Sequence, residues 1–395
     1  MTAALALAVV GSLAATTPPQ APAPAPVGLR AEAGQERTSR NAERDRQWQL
    51  AALRASRAWD LATGDGVVVA VIDSGVAGDH PDLDGRVLSG LDLVDRTGNG
   101  SNDQVGHGTT VAALIAGQGD GQHGVAGLAP RAKILPVRVL DAENRYDDAR
   151  VVAEAVRWAV DHDAKVINLS LGGAASSEAL AEAIDYAFAR DVVVVACVGN
   201  AVTGGSTEIW YPAREPGVLA VTAIAPGTRR QLWQGSLKGE QAVLAAPGTD
   251  LIGARPGPEL YWRVQGTSFA APLVSATAAL VRSRYPGMSA ADVVQRLITT
   301  AQDLGPAGRD DEYGFGLVDP VAALTAEVAP VRANSLDSVP PPGRAGFGAA
   351  PETTPAPRAS ATPEPAAGTK PAPTPHRVRG GLNLALPGVP VLALS

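Results

Sequence analysis

Ser268 lies in the stretch Gln265-Gly-Thr-Ser-Phe-Ala-Ala-Pro-Leu-Val-Ser-Ala-Thr-Ala-Ala-Leu-Val281. Gly266 permits a sharp backbone turn, and Pro272 is tolerated early in a helix because first-turn N–H groups have no helical partner. The run is small or apolar on every side up to Arg282, which predicts a buried helix ending before Pro286. A serine hydroxyl at the tip of a buried helix is held still, next to the positive end of the helix dipole. That suits a nucleophile whose attack creates an oxyanion. A Thr-Ser helix cap explains the same stretch equally well when it is taken alone.

A serine nucleophile needs a base to take its proton and an anion to orient that base. Asp73 follows an apolar run directly, in Val71-Ile-Asp-Ser-Gly75. Ligands bind at the carboxyl ends of parallel strands, so its carboxylate falls on the functional edge. His107 stands between two glycines in Asp103-Gln-Val-Gly-His-Gly-Thr-Thr-Val-Ala112, at a helix start. Singly, Asp73 reads as a turn cap and His107 as a satisfied loop histidine. With Ser268 they form a nucleophile, base and orienting anion.

The elements that must position these groups alternate. Strands are predicted at Val67–Ile72, Ala132–Leu140, Lys165–Ser170, Val192–Val198, Leu219–Ile224 and Gln241–Ala246. Helices are predicted at Gly108–Gly117, Asp148–His162, Ser177–Arg190 and Ala290–Thr300, with a helical piece through Trp48, Ala52, Ala55 and Trp59. Nearly continuous Val/Ile runs alternating with helices mean an α/β fold, a mostly parallel sheet with helices on both faces.

Composition sets further bounds. The net charge of −7 disfavours nucleic acid as a partner and offers no basic patch for anionic lipid. Cys197, the only cysteine, excludes an intrachain disulfide and sits in an apolar run as core filling. Residues 1–17 have the length and small-residue end of a signal peptide, without the basic residues expected before one. Residues 18–45 are a low-complexity extension, 46–327 a folded domain, and 328–380 a Pro/Ala-rich linker. The apolar tail 381–395, broken by prolines, reads as a truncated membrane anchor at most. His80, His123 and His162 read as structural, and Asp147 and Asp148 as helix-opening acids. The carboxylates around His80 fit no calcium-loop signature, so no metal and no cofactor is expected.

The blocks Ile72-Asp-Ser-Gly75, Gly106-His-Gly-Thr109 and Gly266-Thr-Ser-Phe-Ala-Ala-Pro272 together resemble those of the subtilases, the subtilisin-like serine peptidases. The resemblance covers roughly residues 46–325 and implies the three-layer subtilisin-like fold and an exported endopeptidase acting on protein or peptide substrates. It implies Ser268 as nucleophile, His107 as base and then acid, and Asp73 as the orienting anion. Val198-Gly-Asn-Ala201 resembles the family's oxyanion block, making Asn200 a donor to the tetrahedral oxygen. Ser170-Leu-Gly-Gly173 resembles the edge that receives the substrate backbone, with Ser170, Leu171 and Gly172 as contacts and Gly172 and Gly173 keeping the approach open. By the same likeness Trp210, before Tyr211-Pro212, lies at the floor of the primary specificity pocket and selects small side chains. The layout of signal, short extension, catalytic domain, Pro-rich stalk and apolar tail is most similar to the mycosins, which implies type VII secretion machinery as a partner and association with the membrane. A freely secreted general protease, or a structural component of a secretion complex, are the alternatives.

Overall fold

The computed structural model describes residues 47–119, 124–146, 148–201, 207–337 and 389–390. The expected signal peptide and N-terminal extension lie outside these residues, as do His123, Asp147, residues 338–380 of the linker and all of the tail but 389–390.

Two short helices open the described chain, α1 (Trp48–Ala52) and α2 (Ala55–Trp59). Helical spacing predicts one piece here; Arg54 divides it by taking the left-handed conformation at φ 53°. The chain then runs through β1 (Val68–Asp73), β2 (Leu91–Asp92), α3 (His107–Ala116), β3 (Lys133–Arg138), β4 (Arg145–Tyr146), α4 (Ala149–Asp161), β5 (Val166–Leu169) and α5 (Glu178–Ala189). It continues with β6 (Val193–Cys197), β7 (Leu219–Ile224), β8 (Leu244–Pro247), β9 (Leu251–Ala254), β10 (Tyr261–Val264), α6 (Thr267–Arg284), α7 (Ala290–Thr299) and α8 (Pro320–Thr325). A two-residue β11 (Val389–Pro390) pairs antiparallel with β4.

Seven strands form one sheet in the order β2-β3-β1-β5-β6-β7-β8, every pair parallel. The Val/Ile runs explain why: β5, β6, β7 and β8 are buried along their whole length, as strands covered on both faces must be. Helices α3 and α6 pack together on one face, and α4 pairs with α5 on the other. The amphipathic α4 turns Val152, Ala155, Val156, Ala159 and Val160 inward, whereas α6 is buried from Thr267 to Arg282. This is the expected three-layer α/β architecture.

Two features depart from the sequence reading. The antiparallel pair β9–β10 was not anticipated; its strands are four residues each, and it leads straight into α6. Packed structure also continues past 327 to Asp337: Asn334 is buried, its Nδ2 donates to the Gly217 carbonyl at 2.8 Å, and Val331 and Leu336 pack on the core. Among the described residues no helix is long and apolar enough to cross a membrane.

Candidate active site

Asp73 is the last residue of β1, a strand flanked by β3 and β5 deep in the sheet, so its side chain emerges at the carboxyl edge. The helix start carrying His107 is drawn against it. A Cβ on Gly108 would lie 2.1 Å from the Gly75 carbonyl oxygen and 3.1 Å from Asp73 Cβ, a space only glycine fits. Gly106 makes the turn into α3 at φ 86°, a conformation that L side chains rarely adopt. Within this close approach His107 Nδ1 stands 2.7 Å from Asp73 Oδ1, both side chains essentially buried. The same carboxylate oxygen accepts from the Ser74 amide at 2.7 Å. An Nδ1–H directed at Asp73 leaves Nε2 as the acceptor, the tautomer a general base requires.

Asp103 braces this corner. It accepts from Ser74 Oγ at 2.9 Å, from the Gly106 and Thr109 amides at 2.8 and 2.9 Å, and from Thr109 Oγ1 at 2.5 Å. Ser74 Oγ in turn accepts from the Gly108 amide at 3.0 Å. One carboxylate thus joins the end of β1 to the first turn of α3. Burial raises the Asp103 pKa against the pull of its hydrogen bonds. For His107, burial alone would lower the pKa, but the charge and hydrogen bond of Asp73, aided by Asp103, prevail and raise it above the ordinary 6.5. The Phe269 ring closes the other side, tilted, with ring centroids 5.2 Å apart.

Ser268 is the second residue of α6, preceded by Gly266 at φ 149°. Its hydroxyl contacts Cys197 Sγ at 3.9 Å, with no hydrogen bond to His107 among the described residues. Cys197 is therefore more than core filling: the last residue of β6 lies directly against the candidate nucleophile. Burial pushes its thiol up to about 11, so it stays protonated near neutral pH.

Asn200 follows β6. Its Oδ1 accepts from both the amide and the hydroxyl of Thr267, each at 3.0 Å, while Thr267 Oγ1 accepts from the Gly199 amide at 3.2 Å. With Oδ1 committed to the residue before Ser268, the amide group Nδ2 is the end left to donate. The loop after β6 and the first turn of α6 are thereby locked together.

The strand end Ser170–Gly173, expected to receive the substrate backbone, lies next to the first turn of α6, with Ser170 Oγ 2.6 Å from the Ser268 carbonyl. Gly173 exchanges both backbone hydrogen bonds with Tyr211, at 3.0 and 2.8 Å, and a Cβ on Gly172 would strike the Tyr211 carbonyl at 2.5 Å. The glycines make room for the Tyr211 loop. Ser170 and Leu171 are buried. Trp210 lies between the two segments: its amide donates to the Val198 carbonyl at 2.9 Å, and a Cβ on Gly199 would meet the indole at 2.4–2.8 Å. The indole therefore rests on the Gly199 backbone, one residue before Asn200.

The remaining candidates are structural. His80 accepts from the Asp82 amide at 3.1 Å and contacts the Leu260 carbonyl at 3.2 Å. His162 stacks on Trp158 with ring centroids 3.8 Å apart, and Asp148 caps α4. Asp82 accepts from the Val125 amide at 2.9 Å, and no group of three metal-ligating side chains occurs among the described residues. The contacts of Asp103 with Ser74 and Thr109, of Thr267 with Asn200 and of Cys197 with Ser268 were not read from the sequence. Asp103 had a signal, an acid just ahead of a helix start; the other two had none.

The model of the subtilase family matches residues 64–316. Thermitase of Thermoactinomyces vulgaris is 37% identical over 67% of this chain and 91% of its own length. Fervidolysin of Fervidobacterium pennivorans is 35% identical over 70% of this chain, which spans only 43% of fervidolysin. The solved structure of the MycP3 protease from the type VII (ESX-3) secretion system superposes with a TM-score of 0.61 at 34% identity, over 71% of this chain and 88% of that one.

Proposed function

The chain belongs to the subtilase family, and on that premise we propose that it is an exported serine endopeptidase of mycosin type, cleaving secreted proteins alongside type VII secretion machinery. The observation that carries the peptidase reading is the buried 2.7 Å pairing of His107 with Asp73 beside the helix start that presents Ser268. Ser268 Oγ rotates from Cys197 toward His107 Nε2, loses its proton there and attacks the scissile carbonyl carbon. The oxyanion that forms is met by Asn200 Nδ2 and the Ser268 amide, which as a first-turn N–H has no helical acceptor. His107 returns the proton to the departing amine, leaving acyl-Ser268. It then takes a proton from the water that hydrolyses the ester, and Asp73 stays ionised throughout.

The substrate side chain before the cleaved bond enters beside Trp210 and is small, because the indole occupies the space over Gly199. The mycosin role is supported by the order of segments along the chain and by likeness to the MycP3 structure. The apolar tail 381–395 is the segment for membrane association. A freely secreted general protease is the second reading, favoured by 37% identity to thermitase along most of that protein. Recovery of the protein only in culture medium supports the second reading; retention in the envelope fraction supports the first.

The decisive experiment is labelling with a fluorophosphonate and mapping of the modified residue. Ser268→Ala abolishes labelling and peptidase activity; His107→Ala removes nearly all activity, and the double variant loses little more. Labelling that survives Ser268→Ala refutes the assignment.

A further inference from the structure

Pro272 lies inside α6, past the first turn where its missing N–H was expected to cost nothing, and the main-chain carbonyl of Ser268 stands four residues before it. In an α-helix that carbonyl takes the N–H of residue i+4, and proline has none to give. α6 thus leaves the candidate nucleophile's own carbonyl without its helical donor, inside a buried helix where an unpaired acceptor is costly.

The missing donor comes from the sheet. Ser170 Oγ donates to the Ser268 carbonyl at 2.6 Å. Asn168 Nδ2 donates to Ser170 Oγ at 2.9 Å, and Ser275 Oγ donates to Asn168 Oδ1 at 2.9 Å. Asn168, Ser170 and Ser275 are each 0% exposed. The donors run one way, from Ser275 further along α6, through Asn168 on β5 and Ser170 just past its end, back to the first turn of α6. We propose that Ser170, held by Asn168 and Ser275, is a positioning residue for the nucleophile, replacing the helical hydrogen bond that Pro272 removes. An ordinary helical bond would tie Ser268 only to its own helix. This one ties it to the strand end that continues as Leu171 and Gly172, so nucleophile and strand edge keep a fixed separation. A misplacement of about 1 Å at such a centre costs on the order of 100-fold in rate.

The inference rests on Ser268 being the nucleophile, and a double-mutant cycle on the full chain tests it independently of that reading. Ser170→Ala slows fluorophosphonate labelling of Ser268 and lowers kcat by the same factor, about 10-fold, with little change in KM. Pro272→Ala restores an N–H at i+4, so Ser170→Ala/Pro272→Ala labels about threefold or more faster than Ser170→Ala alone. Ser275→Ala, which loosens Asn168 but leaves the Ser170 hydroxyl, gives a smaller loss in the same two rates. Wild-type labelling rates in Ser170→Ala overturn the proposal, as does a double variant no faster than Ser170→Ala. A drop in Tm with unchanged labelling at 25 °C also overturns it, since that marks a merely structural brace. Should Ser170→Ala not fold, wild-type rates in Ser275→Ala overturn it. Failure of the nucleophile reading is distinct: the unmodified protein would then not label at Ser268 at all.

Discussion

On the proposed placing of Trp210 at the specificity pocket, replacing it with glycine should shift the preference before the cleaved bond from small residues toward large apolar ones. The indole rests on the Gly199 backbone, where a Cβ would come within 2.4 Å of Cδ2 and 2.8 Å of Cε3. A phenylalanine side chain seeking that space must displace the ring, and overpacking of this kind costs about 1–3 kcal/mol. With the indole gone, the same side chain is buried instead and gains about 1.5–3 kcal/mol. The preference for Phe over Ala before the cleaved bond should therefore shift by about 2.5–6 kcal/mol between the two proteins. Trp210 is half-buried and its loop can relax, so the lower end applies: about 100-fold in the ratio of kcat/KM values. The assay is hydrolysis of peptide p-nitroanilides that differ only in that residue, run well below the Tm. The fluorophosphonate labelling rate serves as a control for the triad. A wild-type preference for Phe, Tyr or Leu refutes the reasoning, and so does a ratio that Trp210→Gly leaves unchanged.

Two further outcomes follow from the corner where β1 meets α3. With His107 as the proposed base, activity requires its neutral form, and against the effect of burial Asp73 and Asp103 raise its pKa above 6.5. The rise of kcat/KM with pH should therefore be centred above the ordinary histidine value, higher than a rise through roughly 6–7 read from an unperturbed side chain. A profile already flat below pH 6.5 would count against His107 as the base. Gly108→Ala places a methyl 2.1 Å from the Gly75 carbonyl and pushes α3 away from Asp73; activity should fall by about 100-fold or more for a shift of about 1 Å. Near-normal activity in that variant would show that the close approach does not set the His107–Asp73 geometry.

The placing of Ser268 and His107 at helix starts and of Asp73 at a strand end was legible from the chain because each sits where a local rule applies. Gly266 and Gly106 mark turns into helices, and Asp73 ends a short run of mostly β-branched residues that reads as a buried strand. The parallel sheet was legible for the same reason: residues buried on both faces leave a continuous apolar trace. What stayed hidden depends on pairs far apart in sequence. Ser170 and the Ser268 carbonyl are 98 positions apart, and Ser275 and Asn168 are 107 apart. No periodicity or turn signal records such a meeting. Pro272 shows the division within one residue. Its missing N–H, and hence the orphaned carbonyl at Ser268, follow from the sequence and helix geometry alone. That Ser170 supplies the donor was decided by the packing of α6 against the end of β5. Likewise Gly172 and Gly173 announce a close backbone approach, but only the tertiary structure identifies the approaching chain as the Tyr211 loop, because glycine specifies that space is needed and not what fills it.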